Sequence, residues 1–138
     1  MRTLIFVFGL LLSCVSLAVD ELSLENGWVR AAPPSAKNLA GYGVLRNNRS
    51  TPVSIVALSS PFFEKVEAHK TSFSSGMMKM QQLQQLQLKA NEVLSFEPGG
   101  MHFMLIKPKR AIVEGLKIPL TLKSESGEEY AFELVVRK

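Results

Sequence analysis

Cysteine is almost missing from this 138-residue chain: there is one, Cys14, and it stands in an apolar leader. Without it the rest of the chain can form no disulfide, thiolate zinc site, iron–sulfur cluster or cysteine nucleophile. A blue-copper electron-transfer centre is excluded as well, since it needs a thiolate beside two histidines. Histidine is scarce too, with two residues, and no HExxH spacing exists for a zinc hydrolase. Charge of one sign is also lacking. Setting Arg2 aside leaves 15 Lys and Arg against 12 Asp and Glu, a net of about +3, too little to argue for nucleic-acid binding. Lys107, Lys109 and Arg110 cluster, which suits either an acidic partner or a solvated turn. No segment carries a long helical stripe, and the apolar run near the start falls short of the roughly 20 residues that span a bilayer.

That leader reads as a cleaved signal peptide over residues 1–18. Arg2 supplies the positive end, Leu4 to Leu12 the apolar centre, and Ser16-Leu17-Ala18 the small residues of a cleavage site, followed by Asp20 and Glu21. Leu11-Leu12-Ser13-Cys14 loosely resembles a lipobox, where acylation of Cys14 would tether the chain to a membrane, but cleavage after Ala18 is the preferred reading. Cleavage there leaves an exported chain whose residues 19–138 make one domain.

Short β-type runs separated by turn residues fill that domain. Trp28 to Ala31, Gly41 to Leu45, Val53 to Leu58, Phe63 to His69, Met77 to Gln82, Val93 to Phe96 and His102 to Ile106 read as strands. Ile118 to Leu122 and Tyr130 to Val136 alternate most clearly around a turn at Ser126-Gly127. Gln81 to Gln87 suits a helical turn as well as an irregular strand. Seven to nine strands with frequent turns predict an antiparallel sandwich or barrel.

What the chain does have is a concentration of soft ligands. Both histidines and five of six methionines fall between His69 and Met104: His69, Met77, Met78, Met80, Met101, His102 and Met104. Strand alternation sends His102 and Met104 to one face and Met101 and Phe103 to the other, and groups Met78 with Met80 against Met77 and Lys79. Pro98-Gly99-Gly100 should bend the chain just ahead of His102, near a sheet edge or loop end. Thioether sulfur binds zinc, magnesium and calcium poorly and copper(I) well, and imidazole binds both copper states, so two His and two Met favour copper(I). Methionine also fills cores and adaptable protein-binding surfaces, which keeps open a metal-free β-sandwich adhesion or assembly module.

Spacing narrows the choice. His69, Met80, His102 and Met104 form the pattern H-x10-M-x21-H-x-M, which resembles the copper motif of the periplasmic copper chaperones called PCu(A)C. Trp28-Val29-Arg30, Gly41-Tyr42-Gly43, Ser59-Ser60-Pro61, Val66-Glu67-Ala68-His69, Gly76-Met77-Met78-Lys79-Met80 and Pro98-Gly99-Gly100-Met101-His102-Phe103-Met104 extend the resemblance over nearly the whole chain after the leader. It implies a cupredoxin-like, Greek-key β-sandwich that binds one copper(I) through His69, Met80, His102 and Met104, with Met78 as an auxiliary thioether. It also implies delivery of that copper to a cytochrome c oxidase subunit or a thiol-containing assembly factor, or general periplasmic copper handling, with no reaction catalysed. The Gln81 to Gln87 run departs from the family pattern. The chain also lacks a His- and Met-rich tail, from which a single copper per chain is expected.

Overall fold

A computed structural model describes residues 20–138, so the signal peptide assigned to residues 1–18 and any tether through Cys14 lie outside the described residues. Ten strands make up the domain: β1 (Leu22–Arg30), β2 (Asn38–Asn47), β3 (Val53–Ser59), β4 (Phe63–Ser74), β5 (Met77–Leu83), β6 (Leu86–Leu88), β7 (Val93–Phe96), β8 (Met101–Pro108), β9 (Lys117–Ser124) and β10 (Glu129–Arg137). No helix occurs among the described residues. Nine strands match the expected runs, most of them extended by a few residues at the ends. The tenth, β6, falls in the stretch for which a helical turn and a strand were equally expected.

The strands form one sheet in the order β5-β4-β8-β7-β2-β1-β10-β9-β3-β6. Two further pairings close it into a barrel: β8 pairs β2 directly, and β3 meets β4 through Leu58↔Val66. Closure covers most of the edge that an extended sheet would expose and leaves β5 and β6, each paired on one side, as its margins. The expected antiparallel arrangement needs correcting at two places, because β1 runs parallel to β10 and β7 parallel to β8. Chain position and pairing explain both. β1 and β10 stand at opposite ends of the domain's sequence, so no hairpin joins them, while β7 and β8 run antiparallel to successive stretches of β2 and meet each other only at Phe96↔Met101.

Alternation along each strand fills the barrel. Val29, Leu45, Ile55, Phe103, Leu105, Ile118, Leu120, Leu122 and Leu134 are fully buried, and Phe96 stacks on Phe103 with ring centroids 4.1 Å apart. Asn47 is the most deeply buried of the polar residues in the interior. It is 0% exposed, and its Nδ2 donates to the carbonyls of Thr51 and Lys89 at 2.9 and 3.0 Å while its Oδ1 accepts from the Arg49 amide at 3.0 Å. Asn47 thereby fastens the β2–β3 loop to the segment that follows β6.

Candidate metal centre

Strand register gathers the soft ligands. β4 lies between β5 and β8, with His69 directly opposite His102 on β8 and opposite Gln82 on β5. Two residues on, Thr71 faces Met80; two residues back, Glu67 faces Met104. Paired residues share a face, and so do residues two apart on one strand. His69, Met80, His102 and Met104 therefore occupy one face of three neighbouring strands, with Met78, opposite Phe73, farther out on the same face. Directly opposed residues stand about 5 Å apart at Cβ and diagonal ones about 7–8 Å, within reach of long side chains. His69 has His102 across from it and Met80 and Met104 on its diagonals, which makes it the centre of the group.

The opposite face of β4 and β8 is the core side, where Val66, Ala68, Phe103 and Leu105 are buried. Met101 packs there too, and Met77 alternates away from Met78 and Met80. The loop before β8 is built as a tight turn. Gly99 has φ +86°, the Gly100 amide donates to the Glu97 carbonyl at 3.0 Å, and the Gly100 carbonyl accepts from the Thr71 amide at 3.1 Å. The loop thus ties the start of β8 to β4 and sets the height of His102 against His69. Of the two expected placements His102 has the loop end, since β8 begins at Met101 directly after the Gly99-Gly100 turn; β8 is itself an inner strand, and the sheet edge is β5, paired to β4 alone.

Burial grades across the group. His102 is 6% exposed, the His69 side chain 15%, Met104 half-buried, Met80 53% and Met78 65%. The imidazole rings lie 5.6 Å apart between centroids. Burial pushes the His102 pKa below the ordinary 6.5; a backbone hydrogen bond with Gly100 opposes the shift and the nearby His69 adds to it. His102 is therefore held neutral, the form that can ligate a metal. Nδ1 of His69 is buried with no hydrogen-bond partner, an unusual cost for a polar atom unless a ligand satisfies it.

Glu67, which the sequence places only in the stretch Val66-Glu67-Ala68-His69, joins the group in the structure. Its Oε2 lies 2.7 Å from His69 Nε2, and its Oε1 pairs with Lys65 Nζ. Lys65 first and His69 second hold the Glu67 carboxyl below its ordinary range, so it is ionised at neutral pH. The i, i+2 spacing of Glu67 and His69 on a strand was the available signal. Among the described residues no three carboxylate, imidazole or thiol groups gather to hold a metal ion. A complete coordination shell here draws on thioethers, and that composition fits a soft ion.

Comparison with solved structures finds the same fold in several proteins. The copper(I) form of DR1885 from Deinococcus radiodurans is 28% identical with a TM-score of 0.69, covering 89% of this chain and 82% of its own. A copper-bound PCuAC domain from PmoF2 is 21% identical with a TM-score of 0.70, covering 87% and 95%. The apo PCuAC domain from PmoF1 is 23% identical with a TM-score of 0.69, covering 87% and 96%. Comparison with curated proteins gives no significant match. The LpqE-like family model matches residues 22–136, from the first strand to the last, and on that match, with PCuAC domains sharing the fold, the chain belongs to the LpqE-like (PCuAC) family.

Proposed function

We propose that this protein is a copper carrier that holds one copper(I) ion through His69, Met80, His102 and Met104 and passes it to an acceptor protein. The observation that carries the reading is the convergence of two imidazoles and two thioethers on one face of three paired strands. The copper(I) form of DR1885, at 28% identity, supports it. Within the barrel, the reading takes the strand arrangement as a cupredoxin-like Greek key.

Transfer follows from the gradient of burial. His102 and Met104 form the sheltered end, Met80 the open end. An incoming thiolate on the acceptor displaces the Met80 thioether first, because the thiolate is softer and charged, while the histidines still hold the ion. Met78, exposed on the same face, offers a thioether stop on the way out. Copper stays in the +1 state throughout, so the exchange requires no oxidant and makes the protein a carrier and not an enzyme. The apolar leader and the absence of thiols after it agree with work in the periplasm, where a cytochrome c oxidase subunit or a thiol-containing assembly factor is the proposed acceptor.

Anaerobic copper(I) competition titration of residues 19–138 tests this. The expected result is one copper(I) per chain. Met80→Ala, at an exposed position, should keep the fold and lose more affinity than the roughly 10–100-fold typical of residues that only support a ligand. A stoichiometry near zero, or Met80→Ala and His102→Ala variants that bind as the unaltered chain does, would overturn it.

A further inference from the structure

The two nitrogens of His69 have opposite surroundings. Nε2 lies 2.7 Å from Glu67 Oε2, and Nδ1 is buried without a partner. Glu67 is itself fixed, with its side chain only 11% exposed and its second oxygen paired to Lys65. An ionised carboxylate accepts hydrogen bonds and cannot donate them, so the proton of a neutral His69 ring must sit on Nε2, and the lone pair on Nδ1. Resting on the copper reading above, we propose that Glu67 is a positioning residue that locks His69 in the Nε2–H tautomer and so makes Nδ1 the atom that ligates copper(I).

Three features of the geometry support this assignment. The hydrogen bond links residues two apart on β4, so backbone alternation alone places both side chains on the metal-facing side. Lys65, again two residues back on β4, is the third member of the row and holds the carboxylate from behind. A row along one strand fixes the rotation of the ring as well as its tautomer. The orphaned Nδ1 then has a physical purpose, since a buried nitrogen with a lone pair and no donor nearby is costly until a cation occupies it. A carboxylate on the far nitrogen also raises the basicity of the ligating one, which strengthens a neutral ligand set without adding a thiolate.

The test is nitrogen NMR of the protein labelled with 15N-histidine, alone and with copper(I) supplied anaerobically, beside Glu67→Gln and Glu67→Ala. In the metal-free protein His69 should show a protonated Nε2 and a bare Nδ1, and copper(I) should move the Nδ1 resonance. Glu67→Gln, whose amide oxygen still accepts from Nε2, should keep that tautomer and stay within a few-fold of the original affinity. Glu67→Ala should mix the tautomers and weaken copper(I) binding by roughly 10–100-fold. A proton on Nδ1 in the metal-free protein, a copper-induced shift at Nε2, or a Glu67→Ala variant unchanged in both tautomer and affinity would overturn the proposal. The first two readings need no variant, so a misfolded Glu67→Ala leaves the outcome decided. Should the protein bind no copper(I), the carrier reading fails by itself, while the metal-free tautomer still decides whether Glu67 sets the ring.

Discussion

His102 is neutral because it is buried, and the sign of the resulting pH dependence is fixed. Its folded pKa lies below 6.5, so below that pH the unfolded chain binds more protons than the folded one. The stability tied to neutral His102 is present above pH 6.5 and lost as pH falls from there through the folded pKa. Glu67, whose pKa is lowered from 4.5, loses its share only below that value, which separates the two windows. Denaturant midpoints measured in small pH steps from about 7.5 to about 5 should decline, and His102→Gln should flatten the decline. Copper(I) competes with protons in the folded protein, so affinity at His102 should hold through pH 6.5 and weaken only as pH falls through the lowered folded pKa; an affinity that stays flat down to the acid unfolding transition would argue against histidine ligation. Asn47 is the other residue whose weight is set by burial. Replacing it with alanine strands two carbonyls and the Arg49 amide. A loss of about 2–4 kcal/mol in chemical denaturation is expected, because each buried polar group left unpaired costs about 1–3 kcal/mol. Neither effect was legible in the sequence. His102 stands out in the sequence as a ligand by its residue type and Asn47 does not stand out at all, because burial comes from strands distant in sequence.

At the scale of elements, the β4–β5 hairpin carries the open side of the candidate site. Its turn, Ser75-Gly76, has φ of +52° and +75°, the pair of positive values that a two-residue hairpin turn requires. A Cβ at Gly76 would meet nothing within 4 Å, so the cost of Gly76→Ala is purely conformational, about 1–2 kcal/mol. The loss should be local, read as faster hydrogen exchange in Met77–Leu83 with little change in the barrel. Weaker copper(I) binding should follow, since Met80 is placed by β5. The sequence was explicit about this hairpin's candidate ligands yet silent about its reach. Met77, Met78, Met80 and Phe73 are all more than half exposed, so alternation of burial ends at Thr71 and does not show β4 continuing to Ser74. The spacing of His69, Met80, His102 and Met104 was readable because it is a count along the chain. That His69 stands opposite His102 is a matter of register, which turns and packing decide.

For the molecule as a whole, the candidate ligands and the core share strands but occupy opposite faces. Phe103 and Leu105 point into the barrel from the strand that turns His102 and Met104 outward. Folding is therefore driven by apolar burial inside a closed sheet and does not wait for metal, unlike small domains whose core is a zinc site. Two consequences follow. The metal-free protein should unfold in one cooperative, reversible transition. Copper(I) should then raise its stability by linkage alone, about 2.7 kcal/mol when free metal is about 100 times the dissociation constant. The gain should not be spread evenly. β4 and β8 are held by pairing on both sides, whereas β5 is paired only to β4, so a bond from Met80 to an ion shared with β4 and β8 would cross-link a strand that is otherwise free to fray. Hydrogen exchange with and without copper(I) should accordingly show its largest protection in Met77–Leu83 and almost none in Glu129–Arg137, since β10 lies three strands from β4 and β8 either way round the barrel. An unfolded metal-free chain, or protection spread uniformly, would mean that the ion is part of the fold and not cargo carried on its outer face.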